Sequence, residues 1–480
     1  MAYNSLTQFV QALEREGELR RIHYPVRAEL EITEIADRVM KSEGPALLFE
    51  NVVEKTIPLL INAFGSSRRM ALALGVSDIE EIAREVEKLV QTKPPKFLKD
   101  KLKLLSELVR LAGIPPKVVK EGACQELIFR EPDLNILPVL SCWPGDGGPF
   151  ITLPMVFSKD PLKGTRNVGV YRMQIYDSKT TGMHWHLHKV GARHYLHQKA
   201  QRNRMELAVC LGGDPALTYA ATAPLPDQID EILFAGFLRK KAVKLVKGLT
   251  VDVEVPANAD IVIEGYIDPS ESLRREGPFG DHTGFYSLAD DYPAFHVTCL
   301  THRREPIYPT TIVGRPPMED AYLGKATERI FLPLLRLTFP EIVDMNLPVQ
   351  GVFHNLAIIS IKKEYPAHAR KIMHALWGMG QMMFTKILMV VDHDVNVQDL
   401  SEVTWVMGNH IDPKRDVIFV EGPVDVLDHA APMAGFGSKM GIDGTRKWRS
   451  EGFDRGWPDA IVMDDKTKKY IDSIWEKLGI

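Results

Sequence analysis

The chain has 480 residues, 45% hydrophobic and 25% charged, with a net charge of −4. That length exceeds one ordinary core, so two or three domains are expected, and the weakly acidic balance gives no field that would draw nucleic acid or an anionic membrane. Cys124, Cys142, Cys210 and Cys299 form no CxxC pair, which argues against a zinc knuckle or a disulfide framework and suits a reducing cytoplasm. No apolar run reaches the ~20 residues of a membrane helix. Residues 1–14 lack the basic start and apolar stretch of a signal peptide.

Ser5 caps a predicted helix whose Leu6, Phe9, Val10 and Leu13 fall at helical spacing, with Gly17 just beyond. Ile32, Ile35, Ala36, Val39 and Met40 repeat the pattern before Gly44, and residues 46–49 read as a short strand. Residues 78–119 are helical in pattern. Their lysine run, Lys93, Lys96, Lys99, Lys101 and Lys103, reads as a solvated face rather than an anion site. A boundary here gives an N-terminal α/β domain over 1–119.

Over 120–320 short β-rich runs alternate with turns, at 167–176, 206–211, 244–255, 261–266, 294–301 and 307–313. They predict a mostly antiparallel sheet or barrel with inserted helices. Over 321–480 the order is strand 356–361, helix 368–377, strand 387–391, helix 400–407 and strand 417–420. That predicts a βαβαβ unit with a parallel sheet. Asp392, His393 and Asp394 fall at the carboxyl end of its central strand, where such sheets bind ligands or simply turn. A glycine-rich segment, 435–441, precedes a terminal helix at 471–478. The class is mixed α/β and α+β.

Residues 276–284, Glu-Gly-Pro-Phe-Gly-Asp-His-Thr-Gly, place Glu276 and Asp281 five positions apart around a Gly-Pro step that no helix accepts. This is a shaped loop carrying two acids and a histidine. It reads as a catalytic loop or as a turn hydrogen-bonded to its own backbone. If residues 167–172 form a strand, Arg172 shares an apolar face with Val168 and Val170, which requires a carboxylate or a bound anion as partner. Glu276 or a bound anion is the candidate. His184, His186 and His188 alternate, so a strand would bring the three imidazoles to one face as metal ligands or as a hydrogen-bonded polar surface. Glu231 opens a helix after the loop at 224–230, where an acid serves the macrodipole or a ligand. The absence of GxGxxG after a strand, of a P-loop, and of GxSxG and HExxH argues against dinucleotide, NTPase, serine-hydrolase and zincin chemistry.

These motifs in order, residues 167–172, Leu211-Gly-Gly-Asp-Pro215, Ala235-Gly-Phe-Leu238, Val255-Pro-Ala257, Ile263-Glu-Gly-Tyr266, 276–284, Val313-Gly-Arg-Pro-Pro317 and Gly437-Ser-Lys-Met-Gly441, closely resemble those of UbiD-type decarboxylases. The resemblance implies a split-barrel-like flavin-binding central domain, and prenylated FMN held with Mn²⁺ and often K⁺. By resemblance the metal ligands fall on Asn167, His188 and Glu231, and the catalytic group on Arg172, Glu276 and Asp281. Cofactor contacts fall on Val170, Tyr171, Arg172, His184, Trp185, His186 and Lys439. A prenyl-flavin synthase would supply the cofactor, the substrate would be a small aromatic acid, and the chain would form a homo-oligomer, a dimer or hexamer, through its C-terminal region.

The ubiquinone branch carries Arg-Trp-Leu and then Arg-Gly in the cofactor loop, where this chain has His184-Trp185-His186 and then Lys189-Val190. The run 182–188, and Pro317-Met-Glu-Asp320 after Arg315, look more like the futalosine-route menaquinone branch, whose substrate is a dihydroxynaphthoate. A 4-hydroxy-3-polyprenylbenzoate decarboxylase is the alternative, and a zinc hydrolase built on His184, His186 and His188 is a more distant one. Location is expected to be cytoplasmic, and a substrate that is membrane-soluble would be met peripherally at the inner-membrane surface.

Overall fold

The computed structural model describes residues 2–91, 114–185, 189–226 and 229–479. His186 and His188 lie outside the described residues, as does the lysine run. The N-terminal part follows its apolar spacing. Ser5 caps the helix Leu6–Arg15, its hydroxyl accepting from the Gln8 amide, and Leu6, Phe9, Val10 and Leu13 are buried. The helix Glu31–Lys41 and the strand Ala46–Phe49 also form. The strand joins a four-stranded mixed sheet with Leu19–Ile22, Leu59–Ile61 and, from far along the chain, Tyr308–Pro309. Of the expected 307–313 run only Tyr308–Pro309 is strand, because it pairs with this sheet. Residues 117–118, read as helical, are instead a strand parallel to Lys244–Lys247. The expected 244–255 run is a hairpin, Lys244–Lys247 against Glu254–Pro256.

The central sheet has nine strands, every pair antiparallel. Alternation gives it two apolar faces. Met155, Phe157, Ala208 and Cys210 enter one core, and Val156, Leu207, Val209 and Leu211 the other. The run 167–176 departs from expectation. The strand Arg166–Val170 stops, and a new strand, Met173–Asp177, begins after Tyr171 and Arg172. The first pairs with Met155–Lys159 at one end of the sheet, and the second with Phe150–Ile151 and Thr180–Gly182 at the other. Two strands joined by only two residues stand at opposite ends of the order, so the sheet curls until its ends meet. Arg172 sits at that seam, not on an apolar strand face.

The C-terminal sheet runs Ile342–Asn346, Leu356–Ile361, Ile387–Asp392, Phe436–Asp443, Val417–Pro423. Leu356–Ile361, Ile387–Asp392 and Phe436–Asp443 are parallel, while Val417–Pro423 is an antiparallel edge. The third parallel strand is therefore the glycine-rich segment, in which Gly441 passes close over Met373 and Trp377. Asp392 accepts from the Arg446 amide and Asp394 pairs with the Arg446 side chain, so these two acids end a strand and hold a turn. The tail carries the helix Asp465–Ile474 and a 3-10 turn, Trp475–Leu478. No described helix is long and apolar enough to cross a membrane.

Candidate active site

Residues 274–292 fold back as two short hairpin steps, Arg274–Glu276 with Asp290–Tyr292 and Phe279–Gly280 with Tyr286–Ser287. Between them the chain turns at Gly277, whose φ of 87° suits glycine. Gln174 secures the turn. Its carbonyl oxygen accepts from the Gly277 amide at 2.8 Å, and its amide donates to the Gly147 carbonyl at 2.7 Å. The loop is thus fixed onto the strand that leaves Arg172.

The Arg172 guanidinium reaches three partners. Nε donates to Glu276 Oε1 at 3.1 Å, Nη1 to Asp281 Oδ2 at 2.5 Å and Nη2 to Ser287 Oγ at 3.1 Å. Its face lies 4.5 Å from the Phe279 ring centroid. Glu276 is 1% exposed and Asp281 6%, so both carboxyls are taken out of water. Burial pushes Asp281 upward, but the hydrogen bond from His282 and the Arg172 charge outweigh it and hold the carboxyl well below its usual range. Asp281 is an anion at any ordinary pH.

Glu276 is held differently. Oε1 also meets His184 Nδ1 at 2.7 Å. Burial lowers His184, against the pull of that carboxylate, and its ring lies tilted 4.3 Å from that of Tyr292. Glu276 Oε2 is buried with no hydrogen-bond partner among the described residues, and the Tyr176 hydroxyl is in the same condition. Burial, then the Glu276 charge, pushes Tyr176 up to about 12. Both atoms face Gly182, where a Cβ would lie 2.8 Å from each. We expect Gly182→Ala to displace the Glu276 carboxyl, lowering turnover about tenfold to a hundredfold with little change in Tm. Steady-state rates beside a thermal melt check this.

The other expected site residues fall into three places. Asn167 and Glu231 come together: the Val168 amide donates to Glu231 Oε2 at 3.1 Å, and Asn167 is 5% exposed. Tyr171 and Trp185 pack edge to face at 6.2 Å behind them, with Val170 half-buried at the end of the same strand. His184 lies past the strand Thr180–Gly182 and is engaged with Glu276, so it does not present a ligand from a strand face. Among the described residues no three His, Cys, Asp or Glu side chains cluster as a metal site. Lys439 is not brought to this site. It is 2% exposed in the C-terminal sheet, its ammonium donating to the Met383 and Thr385 carbonyls, so the cofactor contact expected of it is corrected to an internal one.

Sequence reasoning missed Gln174, Tyr176 and Ser287. Gln174 and Tyr176 alternate on the strand that follows Arg172, a period-2 signal that was readable. Ser287 is placed only by tertiary folding.

A curled antiparallel sheet with an arginine at its seam, clamped by two buried acids on a turn, defines a scaffold that holds charge away from water. Three family models match: the N-terminal domain of 3-octaprenyl-4-hydroxybenzoate carboxy-lyase over 10–89, its Rift-related domain over 117–316 and its C-terminal domain over 321–444. The chain belongs to the UbiD family and is a decarboxylase, a carboxy-lyase. An uncharacterized protein of Aquifex aeolicus is 52% identical over 481 residues, covering 100% of this chain and 99% of that one. The vanillic acid decarboxylase of Sedimentibacter hydroxybenzoicus in closed form is 28% identical, with a TM-score of 0.86 and coverage of 100% and 99%. HmfF of Pelotomaculum thermopropionicum in complex with FMN is 30% identical, with a TM-score of 0.79 and coverage of 95% and 97%. An evolved dimeric form of HmfF is known in complex with prFMN.

Proposed function

We propose that this chain decarboxylates an aromatic hydroxy acid without oxidation, using prenylated FMN and Mn²⁺, and that the acid is a dihydroxynaphthoate of the futalosine route to menaquinone. The observation that carries the chemistry is Glu276, pinned through Oε1 by Arg172 and His184 while Oε2 is buried and unpartnered. Decarboxylation consumes one proton at the carbon that loses CO₂, and Oε2 is a place from which a side chain can deliver it. Asp281, held anionic, keeps Arg172 oriented toward Glu276.

The residues suit the cofactor. Asn167 Nδ2 and Trp185 Nε1 are buried donors with no acceptor among the described residues, and a flavin phosphate and its ring supply acceptors. Val170, Tyr171, Arg172, His184 and Trp185 would hold it, and Asn167 and Glu231 offer the oxygen donors that Mn²⁺ favours. When bound, prenylated FMN supplies the sink for the electrons freed as CO₂ departs. The naphthoate assignment rests on the likeness of residues 182–188 and 317–320 to that branch. The family's description favours a polyprenyl hydroxybenzoate as the second reading. An oligomer fits the exposed apolar tail, in which Ile461, Val462, Met463 and Trp475 lie open to water.

The test is expression with and without a prenyl-flavin synthase. A flavin-like absorbance appearing only with the synthase, and CO₂ released from the naphthoate but not from the prenylated benzoate, is the expected result. Release from the benzoate alone moves the chain to the ubiquinone branch, and a colourless protein active with zinc overturns the cofactor.

The metal has its own readout. Burial pushes Glu231 up from 4.5 to about 7. Its neutral form is thus favoured in the fold, and the metal-free protein loses stability as pH rises between those values. We expect Glu231→Gln to melt above the wild type when metal-free at pH 8, and to lose any rise in Tm that Mn²⁺ gives the wild type.

A further inference from the structure

The loop 276–284 is gripped from two sides. Arg172 holds one side of Asp281. On the other, His282 Nδ1 lies 2.8 Å from Asp281 Oδ1, and His282 Nε2 lies 2.9 Å from His354 Nε2. His354 belongs to the C-terminal part, immediately before the strand Leu356–Ile361. Two imidazole nitrogens at that distance share one proton, so one ring donates and the other accepts. A His282 that donates to Asp281 through Nδ1 and to His354 through Nε2 is the cation, and His354 is then the neutral acceptor.

The surroundings favour that assignment. Burial opposes a charged His282, but the hydrogen bond to Asp281 and the charges of Asp281, Asp320 and Asp425 overcome it and raise its pKa. Burial, then the His282 charge, pushes His354 down to about 4, with Asp425 acting against them and Lys189 with them. Arg172 stands beyond Asp281. Asp320 opens the helix Glu319–Thr338, and Asp425 follows the edge strand Val417–Pro423, so the C-terminal part surrounds the pair.

A further observation concerns the same junction. Val352 and Phe353 hold φ at 54° and 44°, a left-handed pair that non-glycine residues adopt at a cost. That backbone delivers Phe353 to 5.5 Å from the His282 ring, and His354 beside it.

We propose that His354 is a positioning residue that latches the C-terminal part onto the 276–284 loop through His282, and thereby fixes Asp281 against Arg172. Only the catalytic consequence rests on the decarboxylase reading. Without the latch, Asp281 keeps Arg172 and His282, but His282 loses its anchor in the C-terminal part, and the loop opens more often.

The experiment uses the full chain, His354→Leu and His354→Gln. Glutamine keeps a carbonyl to accept from His282 Nε2, and leucine does not. Hydrogen–deuterium exchange over 276–292 is expected to be about tenfold faster in His354→Leu, as follows when a buried hydrogen bond loses one partner, and near wild type in His354→Gln. In ¹⁵N-histidine spectra, His282 should titrate at lower pH in His354→Leu, because its cation has lost an acceptor, and recover in His354→Gln. Should His354→Leu not fold, His282→Leu, which has no donor, severs the same contact and is read by its exchange.

Unchanged exchange in His354→Leu, or glutamine no better than leucine, overturns the latch. Neither arm needs substrate. Altered exchange in a protein that releases no CO₂ from any aromatic acid therefore leaves the latch standing and removes the decarboxylase reading, while unaltered exchange in a working decarboxylase does the reverse.

Discussion

Arg172→Lys is expected to lower turnover about a thousandfold, the order seen when a preorganised hydrogen-bond donor is removed from a buried reaction centre. The loss follows from geometry rather than from charge. Arginine reaches Glu276, Asp281 and Ser287 with three different nitrogens while its face lies on Phe279. A lysine ammonium is a single point on a flexible stem and cannot span two carboxylates in this way. One buried acid would lose its partner, and breaking a buried pair costs about 3–5 kcal/mol when nothing replaces it. Lysine keeps part of that.

The acid limb carries the same signature. Asp281 is depressed below its unfolded value, so its contribution to stability is complete above the ordinary aspartate range and disappears as pH falls. With lysine the depression weakens, and acid unfolding should begin at a higher pH. Single-turnover CO₂ release and melts across acidic pH measure both. Turnover within about tenfold of wild type would reduce Arg172 to a counter-ion.

Much of this site was readable because its chemistry is local. The Gly-Pro step, the two acids and the histidine lie within nine residues, and the chain folds them as the shaped turn their backbone demands. The need of Arg172 for carboxylate partners was also legible, although the reason given was incomplete. Its side chain was expected on an apolar strand face, whereas it stands where the curled sheet closes. Closure depends on which strands pair across the whole domain, and no periodicity in residues 167–176 reports that.

The same limit explains the C-terminal sheet. Residues 417–420 are a continuous apolar run, as a buried parallel strand would be, yet they form the antiparallel edge, because the glycine-rich strand Phe436–Asp443 takes the place beside Ile387–Asp392. Glycine weakens strand propensity, and here it allows close passage over Met373 and Trp377. Lys439 looked like an anion contact because glycine-rich loops often cradle anions, but in a strand its side chain turns inward to two carbonyls. His354 had no readable signal at all. It meets His282 across 72 residues of sequence.

Glu276→Gln separates the two acids. The amide keeps nearly the shape of the carboxyl. Its oxygen can replace Oε1 and accept from both Arg172 and His184, while its nitrogen occupies the space of Oε2 beside Gly182 and Tyr176. The scaffold and the cofactor contacts are therefore retained, and only the charge and the exchangeable carboxyl proton are lost. If Oε2 delivers the proton, CO₂ release should fall about a thousandfold, within the range that a positioned general acid contributes. Cofactor absorbance and Tm should stay close to wild type. Removing the charge beside Arg172 also leaves Asp281 as its one anionic partner in this cluster, so a stability loss larger than the rate loss would mark Glu276 as structural. Full turnover with bound cofactor would transfer the proton to Asp281, which must then be reached by a proton despite the two cations that hold it ionised.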